Sequence, residues 1–103
     1  VETERAALAD AFRRRTTSAL HDIDRLERAL ESDEEVVALR EEIELTARRQ
    51  LEEGVLLPSE YVDTRTDLFE ARLTTRVHRI QLAEARVRLR TILGRNLSPE
   101  DLP

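Results

Sequence analysis

Residues 50–58 read QLEEGVLLP and decide the fold, because they hold the first glycine and the first proline of the chain. Residues 1–53 contain neither. A glycine after a helical run favours a left-handed residue just beyond a helix C-terminus, and a proline favours the first position of a helix, where its missing N–H costs nothing. Gly54 and Pro58 therefore predict that one helix ends, a short tip follows and a second helix begins.

The next glycine marks the end of the second helix. Gly94 predicts a C-terminus of the same kind, and the residues after it are typical of a loop. The sequence thus predicts an all-α fold, an elongated antiparallel two-helix hairpin that is coiled-coil-like. Its helices are expected at 2–53 and 58–93, its tip at 54–57 and an irregular tail at 95–103.

Helix one has one internal feature that allows two interpretations. Ser32 followed by Glu35 has the spacing of a capping box, which indicates a possible helix start. An apolar stripe runs through the same region in phase, which favours an unbroken helix. Both a continuous helix and a break near Ser32 stay open. The stripe comprises Leu8, Phe12, Ala19, Ile23, Leu26, Leu30 and Val37.

Composition excludes several classes of protein. The 103 residues are 40% hydrophobic and 38% charged, with two glycines and three prolines, which is typical of long helices and excludes an all-β domain. The absence of cysteine excludes disulfides and thiolate metal sites. A net charge of −5, with arginine as the only basic residue type apart from histidine, argues against nucleic-acid binding. No apolar run reaches membrane-spanning length, so we expect a soluble chain, and its start at Val1 suggests a fragment of a longer protein.

Helix two carries two apolar stripes on roughly opposite sides, whereas a simple hairpin needs one. The first stripe comprises Val62, Phe69, Leu73, Val77, Ile80 and Val87, and the second comprises Ala71, Leu82, Ala85, Leu89 and Ile92. Helix one adds Val36, Leu39, Ile43 and Ala47 beside its main stripe. We expect self-association, either as an ordinary four-helix bundle or as the wall of a closed tube.

Length gives a second reason to expect a neighbour. If the chain turns back at the tip, Gly94 lies near residue 18, and the first four or five turns of helix one have no partner from their own chain. Leu8 and Phe12 lie in those turns.

No pattern predicts chemistry. His21 and His78 have no second metal ligand at helical spacing, so we expect surface or interface histidines, no metal site and no cofactor. The serines lack a neighbouring base, and two isolated glycines cannot form a phosphate-binding loop. An enzyme is therefore not expected.

The segment 50–94, QLEEGVLLPSEYVDTRTDLFEARLTTRVHRIQLAEARVRLRTILG, resembles the last helical hairpin of the TolC-like outer membrane efflux proteins. The resemblance lies in a glycine after a long helix, an apolar tip, an acidic residue nine positions later and a Leu- and Ala-patterned helix that closes on Leu-Gly. These positions are Gly54, Val55-Leu56, Asp63, Leu68, Ala71, Ala85, Leu89 and Leu93-Gly94.

The resemblance implies a trimeric conduit whose hairpins form a periplasmic α-helical barrel below a membrane β-barrel. The chain would be a periplasmic part of an outer membrane protein, and as an isolated fragment it could form a dimer instead of the trimer of the parent. A periplasmic adaptor of an efflux pump would dock at the tip. That assigns partner binding to Gly54, Val55, Leu56, Leu57, Pro58 and Ser59.

Three alternatives and one assignment accompany this interpretation. The tip could be a plain helix-connecting turn with its apolar side chains tucked back. The whole chain could be a helical-hairpin scaffold or adaptor that acts only through protein–protein interaction. The arginine strip of helix two could face outward or toward a neighbouring helix, while the acidic strip is assigned to the lumen. The arginine strip comprises Arg65, Arg72, Arg76, Arg79, Arg86 and Arg90. That acidic strip comprises Asp63, Asp67, Glu70 and Glu84.

Overall fold

The computed structural model describes residues 2–96, and the predicted tail lies outside them from residue 97 onward. Two helices account for almost all of these residues, α1 (Glu2–Glu52) and α2 (Pro58–Asn96), with no strand among residues 2–96. The helices run antiparallel and are joined by a short tip. The predicted fold class, an all-α helical hairpin, is confirmed.

α1 is unbroken through Ser32, so the continuous form of helix one is the one observed. The less exposed residues keep the same spacing before and after this point, whereas Ser32 and Glu35 themselves are exposed. Continuous packing on one side of the helix therefore outweighs the local capping signal, which would be worth only about 1 kcal/mol.

Gly94 does not end α2, and this prediction is wrong. The helix continues through Gly94 to Asn96, and Gly54 is the only residue among 2–96 with a positive φ. A glycine inside a helix costs only about 0.5–1 kcal/mol relative to alanine. Leu89 and Ile92 are partly buried in the preceding turns, and this packing holds the helix together across the glycine.

Both helices bury residues at alternating steps of three and four, which is the heptad spacing of a coiled coil. We call these positions the seam. On α1 the seam comprises Ala9, Phe12, Thr16, Ala19, Ile23, Leu26, Leu30, Asp33, Val37, Arg40, Glu44, Ala47 and Leu51. On α2 it comprises Tyr61, Thr64, Leu68, Ala71, Thr75, His78, Leu82, Ala85, Leu89 and Ile92.

The chain divides into two compact units. The tip unit, Arg28–Arg79, contains the end of α1, the tip and the start of α2. The terminal unit combines Val1–Glu27 with Ile80–Pro103. Within each unit the fully buried core is thin, because two helices can enclose only one row of side chains each. The buried apolar residues are Ala47 and Leu68 in the tip unit, and Ala19, Leu26, Leu82 and Ala85 in the terminal unit.

Among residues 2–96, neither helix contains a stretch that is both long and apolar enough to cross a membrane.

Candidate interaction surfaces

The turn that ends α1 has the geometry of a Schellman motif. Gly54 has a φ of 77°, and its N–H donates to the carbonyl of Leu51 at 3.1 Å. The N–H of Val55 donates to the carbonyl of Gln50 at 2.9 Å. These two bonds satisfy carbonyls that a helix end leaves without partners. The predicted left-handed glycine is confirmed, and the tip is a hydrogen-bonded turn.

α2 begins at Pro58 with a partial capping box. The N–H of Leu57 donates to the carboxylate of Glu60 at 3.3 Å, and the carbonyl of Leu57 accepts from the N–H of Tyr61 at 3.1 Å. Leu57 has no side-chain oxygen with which to complete the reciprocal half of the box. The start of α2 is therefore held by the carboxylate of Glu60 and by the fixed φ of Pro58.

The tip exposes apolar side chains. Val55 is 70% exposed and Leu57 is 62% exposed, while Leu56 is partly buried. The tucked-back alternative is therefore wrong for Val55 and Leu57. Glu52 and Glu53, immediately before the turn, are also exposed. The six residues assigned to partner binding lie together in the tip and the first two positions of α2, as a short, largely apolar surface beside two carboxylates.

Of the two apolar stripes of α2, only one packs against α1. The second stripe lies in the seam, at its buried and partly buried positions. The first stripe is exposed along its whole length. Its members are Val62, Phe69, Leu73 and Val77 in the tip unit, and Ile80 and Val87 in the terminal unit. We call it the outer stripe.

α1 has an exposed apolar patch of its own in the tip unit, which we call the α1 patch. It consists of Val36, Leu39 and Ile43. Ala47, which the sequence grouped with them, is instead buried in the seam. In the terminal unit Leu8 is 70% exposed, as expected from the length of α1, whereas Phe12 is partly buried.

Two ion pairs show the relative height of these apolar surfaces within the tip unit. Glu41 accepts from Arg72 at 3.3 Å, and Asp67 accepts from Arg40 at 3.5 Å. Both pairs are exposed, so they contribute little stability. They do show that Leu39 and Leu73 lie at about the same height. The α1 patch and the middle of the outer stripe are therefore level with each other.

Glu44 is the centre of a buried polar cluster. Its side chain is only 7% exposed, and Oε1 accepts a hydrogen bond from the Tyr61 hydroxyl at 2.7 Å. The guanidinium of Arg48 donates to both carboxylate oxygens, from Nη2 at 2.7 and 2.9 Å. The hydrogen bond from Tyr61, followed by that from Arg48, lowers the pKa of Glu44. The same contact with Glu44 raises the pKa of Arg48. The cluster joins the two helices just before the tip.

A second polar contact crosses the seam further from the tip. Nδ1 of His78 lies 2.6 Å from Oδ2 of Asp33, and both side chains are largely buried. Sequence reasoning missed this pair, and the Glu44 cluster as well, because it searched for partners at helical spacing within one helix. The signal that could have found them is the heptad pattern, which places Asp33, His78, Glu44 and Tyr61 in the seam.

The charged strips of α2 have unlike surroundings. Arg72 and Arg86 face α1, where they pair with Glu41 at 3.3 Å and Glu27 at 3.7 Å. The acidic strip is exposed, and within it only Asp67 has an ion pair to α1. Its other members are Asp63, Glu70 and Glu84. Arg72 and Arg86 therefore contribute to the hairpin itself, whereas most of the acidic strip faces solvent.

Comparisons with known proteins give no match: no family model, no curated protein and no solved structure is significantly similar to this chain.

In the described part of the chain, residues 2–96, no group of three or more His, Cys, Asp or Glu side chains is placed to hold a metal ion. His21 is exposed on α1. The exposed apolar surfaces of this hairpin are the tip, the α1 patch and the outer stripe.

Proposed function

We propose that the chain is a structural hairpin in the periplasmic α-helical barrel of a TolC-like outer membrane efflux protein. In this role it would contribute to the wall of a conduit for solute export and would contact a periplasmic adaptor through its tip. The observation that carries the proposal is the outer stripe, an exposed row of large apolar side chains that its own hairpin leaves uncovered. Contiguous exposed apolar surface is typical of a protein interface.

The positions of the apolar surfaces support lateral packing between hairpins. The α1 patch and the outer stripe lie on different helices and at the same height in the tip unit. Copies related by rotation about an axis parallel to the helices would bring the patch of one copy to the stripe of the next without any shift along the helices. Such head-to-tail contacts close into a ring when the rotation closes. Burial would contribute about 25 cal/mol per Å² of apolar surface.

The tip supports the second half of the proposal. Val55 and Leu57 project from a backbone that the Schellman hydrogen bonds and Pro58 fix in place. A rigid apolar surface loses little conformational entropy on binding. Glu52 is the last residue of α1 and Glu53 follows it, at the end where the helix dipole disfavours negative charge, which suggests that a partner uses them.

Disulfide cross-linking tests the lateral contact. The chain contains no cysteine, so any disulfide must join two introduced cysteines. Chains carrying Leu39→Cys are mixed with differently tagged chains carrying Leu73→Cys and oxidised. We expect the mixed 39–73 disulfide to exceed both the 39–39 and the 73–73 products. In the matched control, Glu34→Cys, on the arginine-facing side of α1, replaces Leu39→Cys in the mixture with Leu73→Cys. Equal cross-linking by the control would contradict the proposed contact.

Sedimentation gives an independent measure of self-association. Leu73→Glu places a charge in the outer stripe, and Thr74→Glu places the same charge on a neighbouring exposed residue outside it. We expect the wild-type chain and the Thr74 variant to sediment as oligomers and the Leu73 variant to dissociate. A wild-type chain that stays monomeric at high concentration would overturn the proposal.

The adaptor contact is tested in the full-length parent protein. Val55→Asp changes the exposed tip, and Thr66→Asp makes the same change at an exposed position of α2. We expect Val55→Asp to reduce solute export while the oligomer stays intact, and Thr66→Asp to leave export unchanged. Unchanged export in the Val55 variant would favour the second interpretation, a hairpin scaffold with no role in a conduit.

A further inference from the structure

Two arginine-rich stretches of the terminal unit contain no carboxylate. Residues 11–21 read AFRRRTTSALH and residues 85–96 read ARVRLRTILGRN. Aspartate and glutamate together outnumber arginine in the chain, yet neither is present in these two stretches. Their arginines are Arg13, Arg14, Arg15, Arg86, Arg88, Arg90 and Arg95. These two stretches are positively charged on a chain with a net charge of −5.

The hairpin brings the two stretches together at one groove of about 550 Å³. The apolar side chains of Ala19 and Ile92 line it together with the Ser18 hydroxyl. Its charged lining consists of Arg14, Arg15, Arg88, Arg95 and Asp22. Asp22 is the only carboxylate among them, and it lies 3.7 Å from Arg88. Four guanidinium groups and one carboxylate therefore line the groove.

The equivalent groove of the tip unit is closer to neutral, with three arginines and two glutamates. There Arg72, Arg76 and Arg79 are accompanied by Glu34 and Glu41, and Glu41 pairs with Arg72. One heptad before Glu34, Glu27 pairs with Arg86 in the same way, within the terminal unit.

Glu41, Glu34 and Glu27 form a row of glutamates on α1, spaced by one heptad. The row ends at Glu27, because the position one heptad earlier is Leu20. The next arginines of α2 therefore have no row of glutamates opposite them. Within residues 2–96, no ion pair joins Arg14, Arg15 or Arg95 to a carboxylate. Like charges held close together destabilise a fold unless an anion compensates them.

We propose that this groove binds a phosphate-bearing ligand that carries at least two negative charges. Guanidinium groups bind phosphate oxygens through paired N–H donors, and several of them converging on one groove select a multivalent anion over chloride. Thr17 and Ser18 line the adjoining surface with Arg13 and Arg14 and add hydroxyl donors. This site is separate from the surfaces that support the proposed conduit.

Calorimetry with pyrophosphate at fixed ionic strength tests the site on the full chain. The double variant Arg14→Gln with Arg95→Gln removes two guanidinium groups from the groove. Arg76→Gln with Arg79→Gln removes the same charge from the tip unit and is the matched control. All four side chains are exposed, so circular dichroism should show unchanged helix content. We expect the groove variant to bind about tenfold or more weakly and the control to stay within about twofold of wild type.

The source of the phosphate is distinguished by a second probe. Vesicles of phosphatidylcholine with and without phosphatidic acid present the same chemistry as a lipid headgroup. Binding of pyrophosphate alone indicates a soluble ligand, and binding of phosphatidic acid vesicles alone indicates a headgroup. Either result supports the site if the groove variant is selectively weakened. No binding to either probe, or equal weakening of the groove variant and the control, would overturn it.

Discussion

Asp33 of α1 and His78 of α2 meet inside the seam, with 2.6 Å between Oδ2 and Nδ1. If one helix were shifted along the other by one or more heptads, at least one of these two polar side chains would lie against an apolar side chain. A polar pair inside a coiled-coil core is the best attested device for fixing register. We infer that this pair helps to hold the hairpin in its observed alignment.

Replacing one partner of this pair should destabilise the hairpin. His78→Leu leaves the Asp33 carboxylate largely buried without its partner, which should cost about 1–3 kcal/mol of the free energy of unfolding. The double variant Asp33→Leu with His78→Leu should recover most of that loss, because apolar side chains then fill both positions. Urea denaturation of the single and double variants measures the coupling. Additive effects would show that the two side chains do not interact.

Alanine at the two glycines should have opposite effects. Gly54 has a φ of 77°, where an alanine is strained, so Gly54→Ala should destabilise the hairpin by about 1–2 kcal/mol. Gly94 is helical, and a Cβ there meets no atom within 4 Å. Gly94→Ala should therefore stabilise α2 by about 0.5–1 kcal/mol. Thermal unfolding of the two variants checks the signs, and the same sign for both would contradict this account.

The strain at Gly54 also affects the choice of tip variants. A charged residue at this glycine would change the turn as well as the surface. Val55 and Leu57 are exposed and have ordinary backbone angles, so their substitution tests binding without disturbing the turn.

Glu44 should make the hairpin less stable in acid. Its pKa is lowered from the ordinary 4.5, first by the hydrogen bond from Tyr61 and then by that from Arg48. The unfolded chain therefore binds a proton more readily than the folded one, and stability falls as the pH falls. The contribution of Glu44 is complete above its ordinary pKa and is lost as the pH drops through the lower pKa of the folded state.

Tyr61→Phe removes the first of these donors and provides the test. The variant should have a lower Tm at neutral pH, and its Tm should fall less steeply between about pH 5 and pH 3. Thr66→Val, at an exposed position on the same helix, serves as the control. Parallel pH profiles for wild type and Tyr61→Phe would show that the hydrogen bond does not couple to folding.

Truncating one buried and one exposed leucine of α1 should have different effects on the stability of the hairpin. Leu26 is 2% exposed, and Leu26→Ala should cost about 2–3 kcal/mol because it leaves a cavity between the helices. Leu8 is exposed, and Leu8→Ala should change the stability of the isolated hairpin by less than about 0.5 kcal/mol. Denaturant midpoints measured at low protein concentration distinguish the two. A large effect of Leu8→Ala would mean that another copy covers it.

Most of the fold could be predicted from local signals. Gly54 and Pro58 mark the turn by their backbone preferences alone, and the apolar stripes follow from helical spacing. The prediction failed at Gly94, because a helix tolerates one glycine when the turn before it is packed. The local preferences of single residues contain no information on how well that turn is packed against α1.

The polar contacts of the seam could not be predicted in this way. The contacts of Glu44 with Tyr61 and of Asp33 with His78 depend on how α1 aligns with α2, which no spacing within one helix contains. The same limit applies to the arginine groove: its two stretches are visible in the sequence, but their convergence follows from the alignment. Spacing within α2 likewise does not determine which of its two apolar stripes packs against α1.

The uninterrupted heptad spacing of the seam also constrains how this hairpin can change length during evolution. Deleting a single residue from one helix would rotate every later side chain of that helix by about 100° out of the seam. Removing seven residues from each helix at facing positions would keep all remaining seam contacts and shorten each helix by about 10 Å. Natural length variants of this hairpin should therefore differ by paired steps of seven.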